Sequence, residues 1–409
     1  MKIESSILGL VAVMSLLLTV NASFSQTQSQ NSSETLREAV EALRSEHART
    51  QLRLAALEKQ KKKGAPLNPP AKTSRPTFSI SGDARVRYET NFDMTGLRDR
   101  DRAVLRARLR STYTINDWLA VGGQLATGDP DDPNSTDITL SNFADDFQVS
   151  LDQAYIRIAP GNFQVFLGKI PHPFVRTELL WDGDVSPQGA SASYVLPVGD
   201  AKFKGSVLYF AIDESVAGPD SHMGGGQMSF ETAPGALIGE VAVGYLDYSL
   251  RSLGGGDPGD FGTNLFTAGK YNSDFNLMDI VAAVTWNGLG PQWPLRVIGN
   301  YVHNFGAPAG TNTGFGVDLL AGKAGQTGDW RFVYGYAEVE SDAVLAAFSH
   351  DNTMLPTNYL QHTLAADYTL WQNLTLNLTY YRYRQKDAGP GLGTFDWQNR
   401  IRLNLLVSF

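Results

Sequence analysis

The chain ends in NRIRLNLLVSF, residues 399–409, and this stretch decides the fold. Alternate residues separate into two faces. The apolar face contains Ile401, Leu403, Leu405, Val407 and Phe409. The other face contains Arg400, Arg402, Asn404 and Ser408, with Leu406 as its one apolar member. A period of two residues predicts a β-strand with one apolar and one polar side. The apolar side could face either a protein core or lipid.

The same alternation recurs from residue 78 onward, for example in SISGDARVRY (79–88) and NLTLNLTYY (373–381). Gly, Asn, Asp and Thr are plentiful between these stretches, as expected of many strands joined by turns. We predict sixteen strands, at 79–88, 102–113, 118–127, 149–158, 163–169, 191–196, 203–212, 225–231, 236–248, 276–286, 295–303, 314–322, 331–340, 360–370, 374–384 and 398–409.

The connections between these strands alternate between short and long along the chain. An even number of antiparallel strands, with tight turns at one end and long loops at the other, is typical of a bacterial outer-membrane β-barrel. Sixteen strands leave an aqueous bore, whereas a barrel of about eight strands is filled by its own side chains. The sequence therefore predicts an all-β fold, a sixteen-stranded antiparallel transmembrane barrel.

Tryptophan placement favours lipid over a soluble β-sandwich as the environment of the apolar faces. The indole ring prefers the headgroup layer of a membrane. Five of the seven tryptophans lie beside short turns: Trp118, Trp286, Trp293, Trp330 and Trp371. The apolar positions are also interspersed with Ala and Gly, which suits contact with fluid lipid better than an interlocked core.

The N-terminal part predicts export and then a helix. Residues 1–25 are typical of a signal peptide, although a permanent membrane anchor is the alternative. Residues 33–63 predict a short coiled-coil helix in the periplasm, or else a lone amphipathic helix. Its seam contains Leu36, Val40, Leu43, His47, Thr50, Leu54 and Leu57. Residues 64–77 read as a Pro-rich linker, and residues 78–409 as the barrel domain.

Composition excludes several other classes of protein. The net charge of −8 argues against nucleic-acid binding. No cysteine is present, so disulfides and thiolate metal sites are excluded. DPDDPNSTD (129–137) is rich in oxygen ligands but lacks the EF-hand order, and we predict no metal there. No glycine-rich segment has a strand-then-helix context for binding a phosphate, and we expect no cofactor.

The signal peptide, coiled coil, Pro-rich spacer, strand pattern and terminal Phe409 together resemble the putative porins of Gram-negative bacteria. FLGKIPHPFVRTELLWDGDVSPQGAS (166–191) is similar to a segment that these porins carry after an early strand. The resemblance implies a diffusion porin in the outer membrane, in contact with lipid and lipopolysaccharide, and a homotrimer. It also implies that Phe409 is a signal for the barrel assembly machinery. This signal usually has an aromatic residue two places earlier, where this chain has Val407.

The third long connection, 170–190, has the ordinal place of the loop that narrows the lumen in porins of this pattern. It carries the candidate constriction residues His172, Arg176, Glu178, Asp182 and Asp184. Candidate pore-lining residues on the strands are Arg85, Arg87, Arg106, Arg108, Arg110, Arg157, Lys204, Arg400 and Arg402. This basic wall could face the acidic loop and set up a transverse field. Alternatively, the arginines could pair with local carboxylates such as Asp83.

These patterns predict a water-filled channel for passive diffusion of small hydrophilic solutes and ions. One alternative is a structural tether, in which the helix grips peptidoglycan and the barrel is an anchor. A second is a barrel enzyme, but none of the six histidines lies in a recognisable nucleophile motif. We therefore predict that the chain is not an enzyme.

Overall fold

The structure is a computed structural model, and it describes residues 76–141, 143, 146–253 and 262–409. The predicted signal peptide, the predicted coiled coil and the predicted linker up to residue 75 lie outside the described residues. Within the described part the chain forms sixteen long strands: β1 (Thr77–Phe92), β2 (Arg100–Asn116), β3 (Leu119–Thr127), β4 (Val149–Ile158), β5 (Phe163–Lys169), β6 (Gln188–Val198), β7 (Ala201–Asp213), β8 (Ser221–Glu231), β9 (Leu237–Ser249), β10 (Phe275–Trp286), β11 (Leu295–Asn304), β12 (Thr313–Gly322), β13 (Trp330–Val339), β14 (Tyr359–Trp371), β15 (Leu374–Gln385) and β16 (Gln398–Ser408).

Each strand pairs antiparallel with the next strand along the chain, and β16 pairs with β1 to close a barrel. The closing register joins Asp83 to Ser408 at one end and Phe92 to Asn399 at the other. All sixteen predicted strands are confirmed, and the bounds of β4 and β5 agree with the predicted ranges. The long strands β1 and β2 extend beyond their predicted ends because consecutive polar residues there, such as Glu89 to Asn91, show no alternation.

The outward faces of the strands are mostly apolar, and the inward faces are mostly polar except at buried positions on β7 to β11. In β16, Phe409 next to the strand end is 62 % exposed, whereas Arg402 is only 2 % exposed. Leu105, Val86 and Leu405 share the outward face of three neighbouring strands by register. A barrel with an apolar exterior and a charged interior is the arrangement required in a membrane.

The five tryptophans beside short turns are 42–68 % exposed on the outside of the barrel. They lie at the end where β2 turns into β3 and β14 into β15. A ring of exposed indoles at one end of the strands is the arrangement expected of an interfacial belt. Within the described residues, no helix is both long and apolar enough to cross a membrane.

The long loops gather at the opposite end of the barrel. We use L2 for 128–148, L3 for 170–187, L5 for 250–274 and L7 for 340–358. L3 ends three residues before the predicted 190 because β6 already begins at Gln188. Three small elements were not predicted: Ile138–Thr139 in L2, which pairs with β2, a hairpin of Phe266–Thr267 with Lys270–Tyr271 in L5, and a 3₁₀ turn at Ala346–Phe348 in L7.

The terminal residue completes the seam between β16 and β1. The backbone N–H of Gly82 donates to the carbonyl oxygen of Phe409 at 2.9 Å, and the N–H of Phe409 donates to the carbonyl oxygen of Gly82 at 3.0 Å. A Cβ at residue 82 would lie 2.5 Å from the carbonyl oxygen of Arg108 and 2.6 Å from Cζ of Phe409, so a larger residue would displace the paired backbone of β2 as well as the ring. Phe409 therefore extends the closing ladder by one residue.

Deleting Phe409 should lower the amount of assembled barrel in the outer membrane, because two backbone hydrogen bonds of the seam and the ring contact with Gly82 are lost. The heat-modifiable band on gels measures the folded fraction. Phe409→Leu is the matched control, since it keeps the backbone pair and a C-terminal apolar residue. Unchanged assembly after deletion would contradict a role for this residue in closure.

Candidate pore constriction

A basic wall lines the lumen on three neighbouring strands. β1, β2 and β16 are adjacent in the barrel, and their inward positions carry Arg85, Arg87, Arg102, Arg106, Arg108, Arg110, Arg400 and Arg402. Seven of these eight residues were predicted as pore-lining; Arg102 was not. The period of two within each strand and the closure of β16 on β1 place them on one side of the bore.

Carboxylates neutralise much of this wall, and three of them come from β1 and L2. Asp83 lies 3.0 Å from Arg108 Nε, 3.2 Å from Arg106 and 3.3 Å from Arg110. Glu89, which is fully buried, lies 2.6 Å from Arg402 Nε and 2.8 Å from Arg102 Nε. Local pairing of this kind, including the pairing with Asp83, is the alternative that the sequence left open.

The third carboxylate comes from L2, which folds back into the barrel. Asp137 lies 2.8 Å from Arg87 Nη1 and also forms an ion pair with Arg85. Burial tends to raise the pKa of Asp137, but Arg87, Arg85 and Arg106 lower it to a value below its usual range. L2 therefore adds a permanent negative charge to the basic wall.

Two predicted pore-lining residues lie apart from this wall. Arg157 is on β4 and forms no ion pair with any described carboxylate. Lys204 is on β7, and its Nζ donates to the carbonyl oxygen of Pro173 in L3 at 2.9 Å. Lys204 therefore anchors the loop from the side of the barrel opposite the wall.

L3 crosses the lumen and is held at both sides of it. On the side of the basic wall, Arg108 Nη1 donates to Asp184 Oδ1 at 2.6 Å. On the other side, Gln227 of β8 makes two hydrogen bonds of 2.8 Å with the backbone of Val175, and Thr177 Oγ1 donates to Asn300 of β11. The predicted third loop is thus a bridge between opposite walls.

The five candidate residues of L3 have different surroundings. Only Asp184 among them forms an ion pair with the described basic wall. Arg176 donates to the carbonyl oxygens of Asp182 and Gly183 within its own loop. Glu178 accepts from Asn352 of L7 at 3.1 Å, and His172 packs on Trp181 with ring centroids 4.5 Å apart.

L7 also enters the lumen, which the sequence analysis did not predict. The N–H of Asp182 donates to the carbonyl oxygen of Phe348 at 2.8 Å, and Ser349 Oγ donates to the carbonyl oxygen of Leu179 at 3.1 Å. At the basic wall, Arg402 Nη1 donates to Asn352 Oδ1 at 2.9 Å. Asn264 of L5 also holds L7 in place, because the N–H of Ala346 in L7 donates to Oδ1 of Asn264 at 2.8 Å.

An apolar core joins L3, L7 and one inner face of the barrel. Trp181, 2 % exposed, stacks on Phe348 with centroids 5.5 Å apart and an interplanar angle of 17°. Inward-facing apolar residues of β7 to β11 surround the pair: Leu208, Phe210, Met223, Leu246, Tyr248, Phe275, Leu277 and Val302. L3 and L7 therefore form a packed unit inside the barrel. This loop unit lies on the inner face of β7 to β11, opposite the basic wall, and it narrows the lumen.

Carboxylates crowd the polar edge of this unit. Burial and the nearby Glu178, Asp351 and Asp184 raise the pKa of Asp182 to about 9. Burial and Asp351 also raise the pKa of Glu178. Burial lowers the pKa of His172 and of His350 to about 3, so both imidazoles are neutral. At neutral pH the polar edge of the loop unit therefore carries fewer charges than its number of acidic and histidine residues suggests.

A cavity of about 490 Å³ lies between the loops and strands β11 to β15. Its lining mixes apolar and polar side chains, and the polar ones include Glu178, Asn300, Asp318, Tyr359 and Tyr381. Hydroxyl, amide and carboxylate groups in one bore can exchange hydrogen bonds with a passing hydrophilic solute. Of the described acidic groups, none forms a cluster suited to holding a metal ion.

The residues that sequence reasoning missed are mainly the partners of predicted ones. Glu89 shares the inward face of β1 with Asp83, which the sequence analysis named, and with the predicted arginines, so strand alternation could have found it. Asp137, Asn352 and Asn300 come from distant segments and carry no local signal. The apolar run VLAAF (344–348) inside a polar loop was the available hint that L7 is buried.

A closed barrel with an apolar exterior, a charged interior and loops folded into the lumen defines a porin-type outer-membrane protein. The sequence profile of the putative porin family matches residues 93–215, which span β2 to β7 and include L3. This match confirms the resemblance to putative porins that the sequence indicates. Comparison with curated proteins gives no match.

Solved structures of bacterial outer-membrane proteins are similar to this chain at low sequence identity. OprB of Pseudomonas putida is 14% identical with a TM-score of 0.52, over 82% of this chain and 94% of that chain. A loop-deletion variant of OmpT from Vibrio cholerae is 12% identical with a TM-score of 0.50, over 82% of this chain and 99% of that chain. An anion-selective porin from Comamonas acidovorans is 14% identical with a TM-score of 0.49, over 82% of this chain and 100% of that chain.

Replacing Trp181 with Ala should release L3 from L7 and raise the single-channel conductance, since the indole is the centre of the packed unit. Truncating a buried aromatic side chain costs about 3–5 kcal/mol. Trp371→Ala is the matched control, because this exposed tryptophan lies at a turn outside the lumen. If both variants conduct alike, the loop packing does not limit the current.

Raising the pH should loosen the loop unit. The pKa of Asp182 in the folded protein, about 9, lies above its ordinary value of 3.8. The neutral carboxyl therefore stabilises the fold fully below about pH 4, and this contribution is lost as the pH rises towards 9. Conductance recorded across this range should increase in the wild type and vary less in Asp182→Asn. Asp117→Asn, in the exposed β2–β3 turn, is the control, and an identical profile for wild type and Asp182→Asn would contradict the assignment.

Proposed function

We propose that the chain forms a water-filled channel in the outer membrane for passive diffusion of small hydrophilic solutes and ions. The observation that carries this proposal is the closed sixteen-stranded barrel with a charged lumen. L3 and L7 pack inside this lumen and narrow it. Sixteen strands enclose more space than their own side chains fill. The porin family match supports the same function.

The family and the fold favour a channel over an enzyme. A hydrolase needs a nucleophile and a base within hydrogen-bond reach in an accessible site. His172 and His350 are buried in the loop unit and packed against Trp181 and Tyr359. This packing gives both imidazoles a structural role between the loops. The structural tether remains the alternative, since residues 33–63 are outside the described part.

Recording single-channel currents of the purified full chain in a planar bilayer tests the proposed function. We expect stepwise currents, whereas a tether or a plugged barrel would give none. The protein lacking residues 26–77 is the companion sample. Equal currents from both assign conduction to the barrel, and the absence of steps from the full chain would overturn the proposal.

We propose that ion selectivity is set where L3 approaches the basic wall. Asp184 of L3 accepts a hydrogen bond from Arg108 at 2.6 Å, and Asn352 of L7 accepts one from Arg402 at 2.9 Å, so the loop unit contacts the basic wall directly. Charges of opposite sign on two sides of a constriction orient dipolar solutes and bias the passage of ions. The ion pairs reduce the net charge, so the field depends on which groups stay unpaired as a solute passes.

Replacing Arg106 and Arg108 together with Gln should shift the reversal potential towards cation preference, because two positive charges leave and Asp83 and Asp184 lose partners. Reversal potentials in a salt gradient measure the shift. Arg106→Lys with Arg108→Lys keeps the charge and should restore the wild-type ratio. Arg382→Gln with Arg384→Gln removes the same charge from the outside of the barrel and should leave selectivity unchanged. An unchanged potential in the inward Gln pair would count against the proposal.

The assembly and the N-terminal part are proposals as well. We expect a homotrimer in the outer membrane of a Gram-negative bacterium, inserted by the barrel assembly machinery, with the 33–63 helix in the periplasm after removal of residues 1–25. The support is the resemblance to putative porins and the heptad pattern of that helix. Contact of the helix with peptidoglycan would fit the Pro-rich linker as a spacer.

A further inference from the structure

Two arginines on the outside of the barrel lack acidic partners. Arg382 and Arg384 alternate with the buried Tyr381 and Tyr383 on β15, so both face outward near the long-loop end of the strand. Neither forms an ion pair with any described carboxylate, and Arg384 Nε is buried without a hydrogen-bond partner. Most inward-facing arginines are paired, namely Arg85, Arg87, Arg102, Arg106, Arg108, Arg110, Arg296, Arg331, Arg400 and Arg402. An outward cation without a partner points to an anion supplied from outside the chain.

An indole fixes both guanidinium groups. Arg382 and Arg384 each place Cζ 5.3 Å from the centre of the Trp397 ring, a distance at which cations are attracted to an aromatic face. His362 also packs on Trp397, with ring centroids 5.7 Å apart. We call Arg382, Arg384, Trp397 and His362 the outer-rim cluster. Tryptophan and extended arginine side chains are both typical of the headgroup level of a membrane.

An outward carboxylate at the same level of the barrel is already engaged. Glu338 of β13 is at the register level of Arg384, with Leu360 of β14 between them. Its carboxylate lies 3.4 Å from Lys386 Nζ and accepts from Tyr336 OH at 3.2 Å. Glu338 therefore forms no ion pair with the outer-rim cluster, and neither arginine of the cluster is paired with any other described carboxylate.

An apolar groove lies directly beside the cluster on the same strands. It has a volume of about 660 Å³ and is lined by outward side chains that include Phe332, Tyr334, Leu364, Leu378 and Tyr380. Tyr380 and Leu364 precede or follow Arg382 and His362 by two residues in their strands, a step of about 7 Å. A cationic site and an apolar slot in continuous outward register match the two parts of an amphiphile.

A second outward groove offers an internal comparison. It has a volume of about 640 Å³ and is lined by residues of β5 to β10, among them Tyr194, Val207, Met228 and Val243. No described arginine or lysine lines this second groove or lies two residues beyond its outward lining residues on the same strand. Of these two grooves, only the one on β11 to β15 therefore combines an apolar slot with cations.

We propose that the outer-rim cluster and its groove bind one phosphorylated glycolipid of the outer leaflet. A lipid phosphate accepts from Arg382 and Arg384, and an acyl chain lies in the groove towards Phe332. Guanidinium groups bind phosphate oxygens through charge-assisted hydrogen bonds. The continuity of the groove with the cations favours a lipid over a free anion. The proposal rests on the outer-membrane location and is independent of conduction, since a barrel that passes no current would still bind lipid at this face.

Native mass spectrometry of the full chain, titrated with diphosphorylated lipid A, tests the cationic part. Arg382→Gln with Arg384→Gln should weaken binding at least about tenfold, because two charge-assisted hydrogen bonds are lost. Arg382→Lys with Arg384→Lys should recover part of the affinity. Lys202→Gln with Lys323→Gln removes the same charge at the short-turn end and should bind like the wild type. Equal affinity of wild type and the Gln pair would overturn the proposal.

Filling the groove separates a lipid from other ligands. Ala366 faces outward in the groove between Phe332 and Leu378, and Ala366→Phe keeps the surface apolar while occupying the slot. We expect weaker binding of lipid A by this variant. Displacement of lipid A by equimolar inorganic phosphate, with no effect of Ala366→Phe, would overturn the proposal in favour of a free-anion site. A change in oligomer mass of the Gln pair at unchanged lipid affinity would overturn it in favour of a contact between copies of the chain.

Discussion

The backbone pairing of β1 with β16 supports the other features of the molecule. In a membrane, an unpaired edge strand would leave a row of N–H and C=O groups without partners, each at a cost of several kcal/mol. Ten consecutive residues of β1, from Asp83 to Phe92, pair with β16 and remove that edge. The same pairing brings Arg400 and Arg402 to Glu89, so the charge balance of the basic wall depends on closure of the barrel.

The barrel could be predicted from the sequence because its signals are local. Alternation between faces needs only the neighbours of a residue, and it located β4 and β5 to the residue. The belt tryptophans also follow from position, since each lies beside a short turn. The direction of the apolar face of β16 followed from these features together, and Phe409 is exposed as expected.

The interior was less predictable because its contacts join distant segments. The arginine positions followed from alternation, but their partners include Asp137 from L2 and Asn352 from L7. The apolar core needs Trp181, Phe348 and inward residues of five strands at once, and no window of sequence contains them. The roles of Arg157 and Arg176 were also not visible locally. Arg157 has no described acidic partner, and Arg176 turns back onto its own loop.

The contact between L3 and L7 has a consequence for the order of assembly. The hydrogen bond between Ser349 and Leu179 joins residues that are 170 positions apart in the chain. The strands between them, β6 to β13, form half of the barrel. Contacts at such a separation form only after the intervening chain is in place. L7 is also held by Arg402 of β16 through Asn352, so the passage has its full set of contacts only when the last strand has joined the ring. In this protein the size of the opening is a property of the finished ring and not of any one of its strands.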